Sequence, residues 1–205
     1  GFNAYLSAYE LVSERDRYPA FKIPIICVPA SIDNNLPGSE LSIGADTALN
    51  NAVGALDSIK QSAAASHRCF VAESMGRKCG YLALMSGIAT GAERVYLHED
   101  GLTLAQLARD SARMVESFRS GRQLYLVIRN ERASENYTLD VLAKIFAQEG
   151  RGLYDVRHAA IGHLQQGGDP SAFDRIMATK LVAHALGLLA DQLEAGTHHS
   201  SYVGL

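Results

Sequence analysis

Five short runs dominated by apolar residues, none alternating with polar ones, set the limits on how this chain can fold. They fall at residues 23–28 (Ile23, Pro24, Ile25, Ile26, Cys27, Val28), 69–72, 94–97, 124–128 and 159–161. A run of this kind reads as a strand covered on both faces. Helical spacing fills the intervals: residues 44–65 (Ala48, Leu49, Ala52, Val53, Leu56, Ile59), 80–92, 104–118 and 138–148. Residues 2–14 make an opening helix, with no strand before it. Thr103 and Gln106 form a capping box, and Ser171 with Asp174 is read as a second, opening a long helix through Leu193. Strands alternating with helices give βαβ units and an α/β fold built on a mostly parallel sheet. Tyr202, Val203, Gly204 and Leu205 read as a strand cut short, so both ends suggest a piece of a longer polypeptide.

Composition narrows the function classes. With 205 residues, 47% of them hydrophobic and 20% charged, the chain can bury a sizeable core. No apolar run approaches the ~20 residues of a membrane helix, and the N-terminus lacks the charge-then-apolar pattern of a signal peptide. Nineteen basic against 22 acidic residues argue against a nucleic-acid partner. Cys27, Cys69 and Cys79 show no C-x-x-C spacing and make a poor disulfide framework, which fits a reduced, cytoplasmic compartment.

In parallel sheets, ligands bind beyond the C-terminal strand ends. Those ends carry Ser31, Ile32, Asp33, Asn34 and Asn35 after the first strand, then Met75, Gly76 and Arg77 after the second. Arg129, Asn130 and Glu131 close the 124–128 strand, and His163, Leu164, Gln165 and Gln166 follow the last. Hydroxyls want carboxylate and amide acceptors, and phosphates want cations and backbone donors, so this inventory suits a polyhydroxylated, phosphorylated small molecule. Each signal has a plainer reading. Asp33-Asn34-Asn35 serves equally as a turn, His163 as a structural histidine, and Arg68 and Arg157 as solvated side chains.

Three segments, P-A-S-I-D-N-N at 29–35, M-G-R-K-C-G-Y at 75–81 and G-H-L-Q-Q-G-G-D-P at 162–170, resemble ATP-dependent 6-phosphofructokinase, the glycolytic kinase family. Phe173, Asp174 and Arg175 follow close behind. The resemblance implies a parallel-sheet sandwich of phosphofructokinase type, with residues 1–205 one α/β region cut at both ends. It also places Asp33 at the position of the base that takes the fructose 1-hydroxyl proton. Departures from the catalytic pattern point elsewhere. Phe2 stands where a magnesium-binding aspartate is expected, Asn35 replaces a second aspartate, and Gln166 replaces an arginine. A phenyl ring cannot coordinate Mg²⁺.

Those changes resemble the C-terminal, regulatory half of the double-length eukaryote-type enzymes, whose old sugar site takes fructose 2,6-bisphosphate as allosteric effector. Asp33 and Arg77 stay closer to the catalytic pattern, which keeps a catalytic half, with Asp33 as general base, as the alternative; a scaffold half with a vestigial sugar site is the third. Under the regulatory reading Ser31, Ile32, Asp33, Asn34 and Asn35 line the sugar and one phosphate, Met75, Gly76 and Arg77 press on the ring, and Glu131 accepts from a hydroxyl. Arg68, Arg157 and His163 clamp a phosphate, with Leu164, Gln165 and Gln166 completing that loop, and two of the arginines reach in from a neighbouring copy. The pocket is expected to gather Arg68, Arg157, His163 and Arg77 into a local cationic excess. The implied partners are a catalytic N-terminal half of the same chain, a sugar bisphosphate and an oligomer of tetramer size, with no nucleic acid and no membrane. No cofactor is implied for this half; ATP and magnesium serve the whole enzyme.

Overall fold

The computed structural model describes residues 1–63 and 67–205, so the expected end of the 44–65 helix at Ala64 and Ala65 lies outside the described residues. The chain divides into two compact units, one of Gly1–Thr47 with Asp169–Leu205, the other Ala48–Gly168. Helix α1 (Phe2–Ser13), strand β1 (Ile25–Cys27) and the start of helix α2 (Ala45–Ala63) lie in the first unit. The second continues with β2 (Arg68–Ser74), α3 (Tyr81–Thr90), β3 (Arg94–Tyr96), α4 (Leu104–Arg119), β4 (Leu124–Asn130), α5 (Leu139–Gly150) and β5 (Asp155–Ala160). A single 3₁₀ turn, Gly162–Gln166, closes it. Helix α6 (Ala172–Glu194) and β6 (Ser200–Tyr202) return to the first unit.

The four strands of the second unit form one parallel sheet in the order β3-β4-β2-β5. Its central strands are apolar over residues 69–72 and 124–128 because both faces are covered there. Cys69, Val71, Tyr125 and Val127 pack with Leu107, Met114 and Phe118 of α4 and Leu142 and Phe146 of α5. Ala72, Leu126 and Ile128 point the other way, against Ala52 and Leu56 of α2 and Ala83 of α3. Burying each such large side chain contributes about 1.5–3 kcal/mol. The Thr103–Gln106 box is present in both directions. Strand β5 begins four residues before the expected 159–161. It is an edge strand, so Asp155, Arg157 and His158 face solvent and no apolar run marks its first four residues.

In the first unit, β1 and β6 pair in parallel, Ile25 to Ser200 and Cys27 to Tyr202. Here the expectation of a strand covered on both faces fails: all three β1 residues are only half-buried, since a two-stranded sheet covers little. The core consists of Met177, Leu181 and Ala185, spaced four apart on α6, with Val203. By length and composition alone α6 would suffice to cross a membrane, although Asp174, Arg175, Lys180 and Asp191 interrupt it and it contains no apolar run of about 20 residues. In this fold it is the helix that carries the unit's core and a buried aspartate.

That aspartate corrects the second capping box. Ser171 Oγ does accept from the Asp174 N–H at 3.2 Å. The Asp174 carboxylate does not reach back; it accepts from the Gly44 and Thr47 N–H groups at 2.8 Å each and from Thr47 Oγ1 at 2.5 Å. It therefore caps α2, while Ser171 Oγ donates to Asp46 Oδ2 at 2.5 Å and the Ser171 N–H to Thr47 Oγ1 at 3.0 Å. The start of each helix holds the other.

Asp174→Ala is expected to lower the unfolding free energy by roughly 2–4 kcal/mol, because three donors at a buried helix start lose their acceptor. Urea unfolding reads this directly, and an unchanged midpoint would contradict it. A second expectation concerns alkali. Burial, then the adjacent Asp110 carboxylate that accepts its hydroxyl at 3.0 Å, pushes the Tyr96 phenol up. A raised folded pKa contributes stability that is complete below the ordinary tyrosine value of about 10 and is lost as pH climbs beyond it. Stability should fall above about pH 10, and the fall should be shallower in Tyr96→Phe.

Candidate functional site

Parallel pairing in one register sets Glu73 beside Arg129 and Ala160, and Ser74 beside Asn130. The loops leaving β2, β4 and β5 thus start from one edge of the sheet. Side chains then tie the loops together. Gln165, 1% exposed, accepts the Met75 N–H on Oε1 at 2.7 Å and donates from Nε2 to Ser74 Oγ at 3.1 Å. Asn130, fully buried, donates from Nδ2 to the Gly76 and Cys79 carbonyls at 2.6 and 3.0 Å and accepts the Arg132 N–H on Oδ1 at 2.8 Å. Arg129, also buried, pairs with Glu73 and donates to the Ser134 carbonyl at 3.0 Å. Asn51 of α2 donates to the Gly167 carbonyl at 2.5 Å.

Two open hollows flank this edge. One, of about 770 Å³, is lined by Asn50, Asn51, Ser58, His163, Leu164 and Gly168 among others. The other, of about 470 Å³, is lined by Glu73, Arg129, Glu131, Arg132, Ser134 and Asp140 among others. Together the rim offers a half-buried carboxylate at Glu131, an exposed imidazole at His163, whose Nδ1 lies 3.0 Å from Gln166 Oε1, and the exposed guanidinium of Arg77. These groups can accept from hydroxyls and donate to an anion.

Met75, Gly76, Glu131, His163, Leu164 and Gln166 all stand on this rim, as their motif order implies, with Leu164 69% exposed. Three other expected residues do not face outward on this rim. Gln165 turns inward and spends both ends of its carboxamide on β2, so it is part of the frame and not of the contact surface. Arg68 opens β2 six residues before Ser74, about 20 Å from the rim at the ordinary rise per residue. Arg157 pairs opposite Phe70 and turns its guanidinium to Asp155, at 2.9 Å from Nε, which also draws Arg68 Nε to 3.6 Å. The expected gathering of Arg68 and Arg157 around His163 is therefore not made within this chain.

The 31–35 loop belongs to the other unit and is held by its own polar groups. Ser31 Oγ accepts the Asp33 N–H and donates to Asn35 Oδ1, both at 3.2 Å. Asn34, in the left-handed region at φ 52°, donates to the Glu40 carbonyl at 3.1 Å and accepts the Ser42 N–H at 2.8 Å. Its amide serves the turn on both sides, which is the plainer of its two sequence readings. Ile32 and Asp33 are half-buried. Sequence reasoning missed Asn130, Arg129 and Asn51 as frame residues. A polar pair ending an apolar strand marked the first two; nothing marked Asn51.

The phosphofructokinase family profile matches residues 1–189. The chain is 48% identical over 199 residues to the ATP-dependent 6-phosphofructokinase of Dictyostelium discoideum, covering 97% of this chain and 24% of that protein. It is 44% identical over 195 residues to the platelet-type enzyme of Homo sapiens, covering 95% and 25%. Among solved structures it is similar to the Pichia pastoris phosphofructokinase in the T-state, with a TM-score of 0.90 and 39% identity, covering 95% of this chain and 22% of that one. The chain thus spans about a quarter of the length of these relatives.

Gly76 gives the test of the frame. At φ 130° it occupies backbone space that L side chains avoid, and a Cβ there would lie 2.4 Å from the Cys79 carbonyl oxygen and 2.8 Å from Asn130 Nδ2. Gly76→Ala is expected to cost roughly 2–4 kcal/mol in urea unfolding, since the rim must open to admit the methyl; a loss below about 1 kcal/mol would mean the loop is free to shift.

Proposed function

This chain belongs to the phosphofructokinase family, and on that premise we propose that it is the regulatory half of an ATP-dependent 6-phosphofructokinase whose rim binds a fructose 2,6-bisphosphate-like effector. The observation that carries the reading is the head of α1. Phe2, 49% exposed, leads with Asn3 and Ala4, none of them a carboxylate. Mg²⁺ beside substrate phosphates is held through one or two carboxylates, which these residues lack, so they do not fit the ion and no phosphoryl step is routed through this half. In the whole protein, magnesium, ATP and transfer to fructose 6-phosphate belong to a catalytic N-terminal half.

At the rim, Glu131 accepts from a sugar hydroxyl while Met75 and Gly76 lie against the ring and Arg77 donates to it. Ser31, Ile32, Asp33 and Asn35 are the further residues of this chain assigned to the sugar, and Asn34 keeps their turn. His163 donates to a phosphate, with Leu164 and Gln166 shaping its loop. Arg68 and Arg157, remote from their own rim, serve the site of a neighbouring copy, which makes an oligomer, of tetramer size, part of the binding unit. A ligand held by two copies shifts a quaternary equilibrium by its difference in affinity for the two arrangements. The assembly is cytoplasmic on this reading. Retention of Asp33 favours one second reading, a catalytic half in which that carboxylate takes the 1-hydroxyl proton.

In the full-length enzyme, Arg157→Ala should raise the half-activating concentration of fructose 2,6-bisphosphate about 30-fold or more, as losing a charged hydrogen bond to phosphate costs about 2 kcal/mol or above. An unchanged value would sink the regulatory reading. Asp33→Ser separates the alternative: a loss of turnover in the absence of effector by about 10³ or more would make Asp33 the base.

A further inference from the structure

Gln165 is buried in the middle of a turn whose neighbours His163, Leu164, Gln166 and Gly167 are all exposed. A buried carboxamide costs free energy unless both its ends are satisfied. Both are, by two consecutive residues at the end of β2: the Met75 N–H and Ser74 Oγ. An apolar side chain of the same volume would fill the space equally well but would leave the Met75 N–H without an acceptor. The turn has few other anchors. It enters through Gly162 at φ 56° and leaves through Gly167, whose carbonyl takes the Asn51 amide. His163 and Gln166 are joined to each other at 3.0 Å, so the turn moves as one piece. Where that piece sits against Met75 is therefore decided at Gln165.

We propose that Gln165 is a positioning residue that locks the phosphate-facing turn, His163 to Gln166, to the sugar-facing loop at Met75 and Gly76, so that the two ends of a bound sugar bisphosphate are recognised as a unit. This rests on the reading of the rim given above. Contacts at the two ends then share one rigid frame, and losing one weakens the other. The Met75 N–H, occupied by Gln165, is not a ligand donor; the ring meets the Met75 side chain and the Gly76 backbone.

The test uses the full-length assembled enzyme titrated with fructose 2,6-bisphosphate. Gln165→Met, close in volume and lacking both hydrogen bonds, should raise the half-activating concentration about 10–100-fold. A structural role alone could do the same, so the deciding readout is a cycle of Met75→Ala and His163→Ala. In the parent, the combined loss should differ from the product of the single losses by about fivefold or more; in the Gln165→Met background it should match the product within about twofold. Ser74→Ala, which removes the Nε2 acceptor together with the hydroxyl's own 3.1 Å bond to the Met75 carbonyl and leaves the Met75 N–H bond to Gln165 in place, should give an intermediate loss and keeps the question answerable if Gln165→Met does not fold. A responsive parent whose cycle is unchanged by Gln165→Met, or by Ser74→Ala where that is the variant measured, overturns the positioning role alone. A parent that does not respond to the bisphosphate overturns the functional reading and this inference with it.

Discussion

In-register parallel pairing of β2 with β4 and β5 is the constraint from which the candidate site follows. Parallel strands run the same way, so their C-terminal ends come out on one edge, and the loops after Ser74, Asn130 and Ala160 start side by side. The pairing itself depends on burial. Val71, Ala72, Leu126, Val127 and Ile128 are apolar on both faces because α4 and α5 cover one and α2 and α3 the other. A slip of one residue would turn each of these side chains to the wrong layer. The geometry of the rim is thus set by packing some distance below it.

At the rim the means of support changes from apolar contact to buried amides and one buried ion pair. Gln165, Asn130 and Arg129 are desolvated, which is costly; the two amides direct their polar atoms at the groups around them, and Arg129 is held by the half-buried Glu73 and the Ser134 carbonyl. Leucine in these places would hold the loops in contact without fixing their orientation, since dispersion is not directional. Amides make the loops stiff in one arrangement, which holds Glu131 and His163 in fixed relation to each other.

The first unit uses the same device at Asp174, whose carboxylate takes two N–H groups and a hydroxyl at the start of α2. An anion is favoured at that end of a helix by the unsatisfied donors and the dipole together. Ser171 and Asp46 complete the exchange from the other helix, so both helix starts depend on the same few polar atoms.

The sequence by itself determined the α/β class, the helices, the central strands and the rim motifs. These depend on local patterns: apolar runs, helical spacing, and the Thr103–Gln106 box. It also placed Met75, Glu131 and His163 together, since strand ends of a parallel sheet share an edge. Only the tertiary structure decided which way side chains face once there. Gln165 and Gln166 are adjacent and identical in type, yet one is buried and bonded to β2 and the other is exposed. Arg157 belongs to a strand reaching the rim but turns to Asp155, whose carboxylate lies two residues away on the same exposed edge strand. The Asp174 carboxylate caps a helix more than a hundred residues away in sequence, not its own. Such choices depend on which donors lie within hydrogen-bond reach in the folded chain, and no local pattern carries that information.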